Sequence, residues 1–453
     1  MWNSGAFHRG SSLSSMGAIV LALALLLAQP ARAIELLRDA DVEYGLAQLA
    51  SPILRAAGLS PAQVKVLVVN DGNLNAFVVS NDVIFINHGL INRATSAEML
   101  QAVLAHEAAH IANGHITRRM TNLGNARTLA GLGLALAAVA AAAGGDDAAA
   151  GLAIGSQSAV QRAFLKHTRA EESSADQSGV RFMRAAGADP RGFLEVMELF
   201  RGQDVLSEAR QDPYARSHPL SRDRLRAMEA FVAAYGTGVA PNPTAAYWFA
   251  RVKGKISAHT RAPKWTLKRT GESGYKDVAF LREAVAESRQ SRTKQALRAI
   301  DNAIATRPGD PFFHAAKGDI LMDARQFQSA VAAYGQAVKL SPRDALLLAG
   351  YGRALLATGN VTAARTTLEQ ARVIDFRDGI MLRDLSVAYA KSGQNGMAAL
   401  VTAERYALSG RMEDAGIHAK RASGLLATGS GPWQRAQDVL IASERAEKRK
   451  KRR

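Results

Sequence analysis

The sequence contains no cysteine among its 453 residues. This absence excludes disulfide bonds, thiolate ligands for a metal ion, cysteine nucleophiles and lipid attachment to a cysteine near the amino terminus. A metal site in this chain must therefore be built from histidine, aspartate and glutamate side chains.

The sequence also lacks an apolar run that is long enough to cross a bilayer comfortably, because a spanning helix needs about 20 apolar residues. The first apolar run, Met16 to Leu27, follows Arg9 and precedes Gln29-Pro30-Ala31-Arg32-Ala33. This arrangement predicts that residues 1–33 are a secretory signal peptide, cut after the final Ala-x-Ala motif. An uncleaved membrane anchor is the alternative.

A second run, Leu129 to Ala143, contains only Ala, Leu, Gly and Val, and small residues continue to Ile154. At about fifteen residues it is short for a membrane span. We expect residues 129–154 to form a helical hairpin near the active site, acting either as a lid or as a surface that dips into a membrane. A purely structural buried helix is the alternative.

Acidic residues are outnumbered, since 57 lysines and arginines against 40 aspartates and glutamates give a net charge of +17. Part of the excess is the unbroken basic run Lys448 to Arg453. We expect this run to be solvated or to touch anionic lipid at a membrane surface. Export and the lack of a basic patch interleaved with aromatic residues argue against nucleic acid as a partner.

The most informative segment is His106-Glu107-Ala108-Ala109-His110, which lies in an otherwise uncharged helical run. Residues four apart share a helix face, so His106 and His110 can present two ring nitrogens to one metal ion. Glu107 lies beside that pair, where it can hold a water molecule without ligating the metal. This is the H-E-x-x-H pattern of zinc peptidases. Two ordinary helix histidines are the alternative for the motif taken alone.

A pair of carboxylates, Glu172 and Asp176, follows about 60 residues later on one face of a predicted helix. Zinc held by two histidines needs a third protein ligand, and a ligating histidine needs a hydrogen-bond acceptor to fix its tautomer. We expect Glu172 to be the third ligand and Asp176 to accept a hydrogen bond from His106. A solvated acidic helix face is the alternative.

Upstream of His106, three short runs at 66–69, 76–79 and 83–86 are rich in β-branched residues, and turn residues separate these runs. The pattern predicts a small antiparallel sheet, followed by a helix that begins at the cap Ser96. If one edge of this sheet is open, it can pair with an extended substrate by main-chain hydrogen bonds. An ordinary buried hairpin is the alternative.

The second half of the chain repeats with a period of 34 residues. The period relates Pro308 to Pro342 and Gly318 to Gly352, and it aligns two sets of alanines: Ala296, Ala330 and Ala364, and Ala303, Ala337 and Ala371. This is the tetratricopeptide period, and we count about four helical units, the first and last degenerate. Such arrays bind peptides or protein partners; an unrelated helical bundle is the alternative.

The spacing of His106-Glu107-x-x-His110 and Glu172-x-x-x-Asp176 resembles that of gluzincin zinc metallopeptidases of the Ste and HtpX type, over about residues 34–265. Asn75-Ala76-Phe77 resembles the segment of that family near its active-site edge strand, and Ser217 to Arg224 resembles its His-Pro-x-x-x-x-Arg motif. Ser174 departs from the family, because many members carry a second acid there.

The resemblance implies one Zn²⁺ per chain, held by His106, His110 and Glu172, with Glu107 as the catalytic base. It implies that His218 faces the zinc, either as a removable fourth ligand that blocks the water position or as a donor to the oxyanion. It also implies that Arg224 orders the site by pairing with a carboxylate or with the backbone.

With its repeats, the chain resembles the periplasmic β-barrel assembly-enhancing protease family of Gram-negative bacteria. The resemblance implies a mainly α fold: a zincin-like metallopeptidase domain with a small antiparallel β-sheet (34–265), a linker (266–276), an α-solenoid of tetratricopeptide repeats (277–440) and a basic tail (441–453). It further implies cleavage of misfolded or stalled outer-membrane proteins and help in their assembly, with the repeats docking on the β-barrel assembly machinery. A periplasmic chaperone or scaffold with a latent metal site is the alternative.

Overall fold

The structure is a computed structural model that describes residues 35–124, 168–207, 210–235 and 238–451. The predicted signal peptide, the segment 129–154 and the last two residues of the basic run lie outside these residues. Among the described residues, no helix is long and apolar enough to cross a membrane.

The first half of the chain combines short strands with helices of very different lengths. These elements are β1 (Leu36–Leu37), α1 (Ala40–Ala56), β2 (Lys65–Val69), β3 (Ala76–Ser80), β4 (Val83–Asn87), α2 (His88–Arg93), α3 (Ala97–Ala112), α4 (His115–Gly124), α5 (Arg169–Ala185), α6 (Gly192–Leu199), α7 (Pro213–Ser217), α8 (Arg222–Tyr235), α9 (Pro243–Thr260) and α10 (Pro263–Leu267). Single turns of 3₁₀ helix lie at Gln203–Val205 and Thr270–Ser273.

The four strands form one mixed sheet with the order β1-β2-β4-β3. The β1–β2 and β3–β4 pairs are antiparallel, but β2 and β4 are parallel. The expectation of an antiparallel sheet is therefore wrong for this central pair. The β3–β4 hairpin pairs with β2 through β4, its second strand, and this makes β2 and β4 parallel. Alternating residues and turn residues in a sequence do not indicate which strand of a hairpin pairs with the next strand of the sheet. Within the described sheet, β3 is an edge strand and β4 is internal.

Helix α3 is the centre of the first half. Its N-cap Ser96 accepts a hydrogen bond from the Met99 N–H at 3.0 Å, as the sequence indicated. Every residue from Ala97 to Ile111 is buried except Glu98, because the helix packs against the sheet, α1, α5 and α6. A helix that is surrounded on all sides is apolar on most of its surface. Apart from Glu98, the few polar side chains of α3, His106, Glu107 and His110 among them, therefore lie in the protein interior.

Over the described residues 276–451, the second half is a stack of five antiparallel helix pairs, one more than the four units counted in the sequence. Its helices are α11 (Lys276–Ser288), α12 (Thr293–Thr306), α13 (Pro311–Asp323), α14 (Phe327–Leu340), α15 (Ala345–Ala357), α16 (Val361–Ile374), α17 (Gly379–Lys391), α18 (Asn395–Leu408), α19 (Met412–Leu425) and α20 (Gly431–Lys451). The six alanines that the 34-residue period aligns are all fully buried. Small residues therefore lie where the paired helices approach each other, as the tetratricopeptide pattern requires.

Candidate metal centre

Helix α3 brings His106 and His110 to one side of a buried cluster. Their Nε2 atoms lie 3.1 Å apart. The other ring nitrogen of His106, Nδ1, lies 3.1 Å from Asp176 Oδ1. A carboxylate accepts a hydrogen bond from Nδ1–H, which leaves the lone pair of His106 on Nε2, pointing toward His110.

Helix α5 supplies the two carboxylates from the opposite side. It begins with a capping box between Thr168 and Glu171, which fixes the first turn just before Glu172. Glu172 is fully buried, and its oxygens lie 3.4 Å from His106 Nε2 and 3.4 Å from His110 Nε2. The expected pair of residues four apart therefore faces the histidines, with Glu172 toward both and Asp176 behind His106.

His218 completes the cluster from the turn that follows α7. Its Nδ1 atom lies 3.0 Å from Glu172 Oε1 and 3.2 Å from His106 Nε2. His106, His110, Glu172 and His218 thus form a buried group whose ligand atoms all lie within 4.8 Å of one another. A tetrahedral zinc ion with bonds of about 2.1 Å separates its ligand atoms by about 3.4 Å. The contacts of 3.0 to 3.4 Å between these residues are close to that spacing, and separations of up to 4.8 Å within the group would have to shorten around an ion.

The electrostatics of the cluster favour a cation at its centre. Burial opposes protonation of His106, but Glu172 and Asp176 outweigh it and raise the pKa of His106 to about 10. Burial opposes ionisation of Glu172 as well, but His218 and His106 hold the pKa of Glu172 well below its usual value. Burial lowers the pKa of His110, which keeps its ring neutral. Zinc binds neutral imidazole nitrogens and ionised carboxylates, so a zinc ion would replace the proton that the two carboxylates otherwise stabilise on His106.

Glu107 lies beside this cluster without joining it. Its carboxylate is fully buried, and neither oxygen has a hydrogen-bond partner. Its Oε1 atom lies 3.4 Å from His218 Nε2. Burial raises the pKa of Glu107, so its carboxylate is a stronger base than an exposed glutamate.

Arg224, on α8, contacts both carboxylates of the cluster. Its Nε and Nη2 atoms donate to the two oxygens of Asp176 at 2.8 and 2.9 Å. Its Nη1 atom lies 2.8 Å from Glu172 Oε2 and donates to the Pro219 carbonyl at 2.9 Å. Arg224 therefore contacts both carboxylates and the backbone next to His218, while its predicted role in ordering the site stays a prediction.

The segment Asn75-Ala76-Phe77 leads into the edge strand β3. Ala76 and Phe77 are buried, and Phe77 stacks on Phe85 of β4 with ring centroids 5.2 Å apart. The carbonyl of Leu74, just before this segment, accepts a hydrogen bond from the Tyr214 N–H at 3.1 Å. The start of β3 is thus tied to α7, four residues before His218.

Two residues of the site were not predicted from the sequence. His115 is buried, and its Nδ1 atom lies 2.8 Å from His110 Nδ1, where it orients that ring. Tyr214 is buried between Phe200 and His218, with ring centroids 4.8 and 4.5 Å away. His115 lies beyond the turn at Gly114, so it shares no helical periodicity with His110, and an isolated tyrosine carries no pattern at all.

Known protein families match a part of each half of the chain. Residues 37–232 match peptidase family M48, and residues 315–376 match the tetratricopeptide repeat. A putative beta-barrel assembly-enhancing protease of Vibrio cholerae is 30% identical over 35% of this chain and 32% of its own length. The chain thus spans about a third of the length of that relative.

Two further relatives are matched over longer parts of their own length. The beta-barrel assembly-enhancing protease of Yersinia pestis is 23% identical over 77% of this chain and 72% of its own length. The metalloprotease LoiP of Escherichia coli is 29% identical over 41% of this chain and 69% of its own length. The chain therefore contains a domain of peptidase family M48, which is followed by tetratricopeptide repeats.

Proposed function

We propose that this chain is a zinc-dependent metalloendopeptidase of the periplasm that cleaves misfolded or stalled outer-membrane proteins and assists their assembly. The observation that carries this proposal is the buried convergence of His106, His110 and Glu172, with the Glu107 carboxylate, which has no hydrogen-bond partner, beside them. A buried carboxylate without a hydrogen-bond partner is costly, and a catalytic role accounts for its presence.

In the mechanism that we propose, His106, His110 and Glu172 hold the zinc, which when bound would polarise the scissile carbonyl and acidify a water molecule. Glu107 takes the proton from the attacking water and passes it to the leaving amine. Asp176 fixes the tautomer of His106, and Arg224 fixes Asp176 and Glu172 in turn. The edge strand β3 holds an extended substrate through main-chain hydrogen bonds that begin near Asn75.

His218 occupies the fourth corner of the cluster, and its placement favours gating. A catalytic zinc site keeps one position open for water, whereas four protein ligands close it. We propose that His218 Nδ1 takes that corner when zinc is bound, so that the turn that carries His218 would have to move before a substrate can enter. The same observation supports the second candidate, a periplasmic chaperone or scaffold whose metal site is latent.

The repeats are proposed to dock on a protein partner, namely the β-barrel assembly machinery. Support comes from an apolar surface at the turn between α16 and α17, formed by Val373, Ile374, Phe376 and Ile380, whose exposed fractions are 85, 45, 50 and 48%. Clustered exposure of large apolar side chains is typical of interaction sites. Arg377, beside this surface, lies 2.5 Å from Asp82 in the β3–β4 turn, so the surface borders the peptidase sheet.

The test compares the wild type with Glu107→Gln and His218→Ala, measuring bound zinc and the cleavage of an unfolded outer-membrane protein. Glu107→Gln should retain zinc and lose activity by about 10² to 10⁴-fold, because it removes the general base. His218→Ala should be more active than the wild type if His218 gates the site.

A loss of activity in His218→Ala would instead assign this residue to the transition state. If the wild type and His218→Ala both bind zinc and are both inert, the peptidase proposal fails and the chaperone reading stands.

A further inference from the structure

The short helix α10, between the peptidase domain and the first repeat, exposes a tryptophan among cations. Trp265 is 37% exposed, and the guanidinium groups of Arg261 and Arg269 lie 5.8 and 4.8 Å from its ring centroid. Lys264 and Lys268 are exposed on either side of it. We call Arg261, Lys264, Trp265, Lys268 and Arg269 the Trp265 surface.

The positive charge of the Trp265 surface is poorly compensated. Among the described residues, Glu272 is the one carboxylate that pairs with it, at 3.3 Å from Arg269 Nε. Beneath the surface, Arg282 donates from Nη1 to the Thr270 carbonyl, and burial lowers its pKa. Burial and Arg282 also lower the pKa of Lys253, whose Nζ atom donates to the Ala94 carbonyl. Both cations are therefore paired with carbonyl groups rather than with acids.

We propose that the Trp265 surface docks the protein on an anionic phospholipid membrane. Indole rings prefer the level of lipid headgroups, where their apolar body and their N–H are both satisfied. Lysine and arginine beside the ring bind the headgroup phosphates, and uncompensated cations gain most from doing so. The indole ring and the cations beside it therefore combine apolar insertion with attraction to anionic lipid, the two contributions on which binding at a membrane interface depends.

The test is cosedimentation of the full chain with vesicles of phosphatidylcholine that contain about 30% phosphatidylglycerol, at about 0.1 M salt. The wild type should bind these vesicles, release them at high salt and ignore vesicles of phosphatidylcholine alone. Lys264→Glu with Lys268→Glu should bind at least about tenfold more weakly. Tryptophan emission should shift to the blue on binding in the wild type, and Trp265→Phe should abolish that shift.

The matched control is Lys294→Glu with Arg298→Glu, which reverses two exposed charges on α12 and should bind as the wild type does. Circular dichroism establishes that all variants are folded. Equal binding by the two double variants would overturn the proposal, as would a complete loss of binding on removal of Lys448 to Arg453 alone. Binding to polyglutamate that is as tight as binding to vesicles would instead assign the surface to an acidic protein. These measurements do not depend on peptidase activity.

Discussion

At the scale of single residues, Arg224 organises the candidate metal centre more than any ligand does. It contacts Asp176, Glu172 and the backbone beside His218 at once, with distances of 2.8 to 2.9 Å. These contacts need the planar, forked guanidinium group, since a lysine ammonium is a single point charge that cannot span two carboxylates. The position of both carboxylates thus depends on one side chain that touches no ligand nitrogen.

The substitution Arg224→Lys should lower zinc affinity about 10 to 100-fold, because it keeps the charge but frees Asp176 and Glu172 to rotate. Competition with a chromogenic chelator measures the affinity. Arg222→Lys makes the same change at an exposed position of the same helix and should leave the affinity unchanged. Equal zinc affinities for the two variants would show that the forked guanidinium group of Arg224 is not needed for zinc binding.

The sequence indicated much of this cluster but not all of it. Spacing on two helices pointed to His106, His110, Glu172 and Asp176, and the structure brings these four side chains together, while their roles stay predictions. Helical spacing works because residues four apart share a face. His115 begins α4 and Tyr214 lies in the short α7, so neither shares a helix with the motif residues and no periodicity of the sequence links them to the site.

At the scale of elements, α6 fixes the start of α3. The Glu195 carboxylate accepts from Ser96 Oγ at 2.8 Å, so a negative charge of α6 lies at the amino-terminal end of α3, where the helix dipole favours it. Gly192, the first residue of α6, approaches the backbone of α3 so closely that a Cβ there would lie 2.1 Å from the Glu98 carbonyl oxygen. The two helices can therefore meet only where Gly192 lies.

Gly192→Ala should destabilise the protein by about 1 to 3 kcal/mol, because backbone atoms of α3 and α6 must separate to admit the methyl group. Thermal unfolding followed by circular dichroism should show a melting temperature lower by several degrees. Gly309→Ala, at a glycine with no atom within 4 Å of the added Cβ, should melt at the wild-type temperature or above it. If Gly192→Ala has the same melting temperature as the wild type, the added methyl group causes no strain where the two helices approach each other.

Elements were predicted unevenly. The repeat period placed small residues correctly, since the aligned alanines are buried, whereas the strand order was wrong for β2 and β4. A repeat can be recognised in the sequence because the same residue types recur at a fixed spacing. The order of strands depends on which surfaces meet after the chain has folded back, and no short window of sequence contains that choice.

At the scale of the whole molecule, ion pairs between described residues join the repeats and the peptidase domain at two places. At one place, Asp375 of the α16–α17 turn binds Arg38 and Lys65 at 2.7 and 3.0 Å. At the other, Arg251 of α9 is 1% exposed and binds Asp41 of α1 and Asp310, the N-cap of α13. Arg38 and Asp375 are 337 residues apart, so no local pattern could have paired them.

Arg251→Met should destabilise the chain by about 3 to 5 kcal/mol, because it removes the ion-pair partner of Asp310 and leaves the buried Asp41 with Lys255 alone, at 3.6 Å. The Arg251 Nε atom lies 2.7 Å from Asp41 Oδ1, and its guanidinium also lies 4.2 Å from the centre of the Phe313 ring, so the loss weakens the junction of α1, α9 and α13. Calorimetry should resolve separate transitions for the two halves.

Adding Asp41→Asn should restore part of the stability, because it removes the buried negative charge that Arg251 had neutralised. Arg298→Met, at an exposed position, should leave the stability unchanged. Strictly additive effects of Arg251→Met and Asp41→Asn would mean that this ion pair does not hold the halves together.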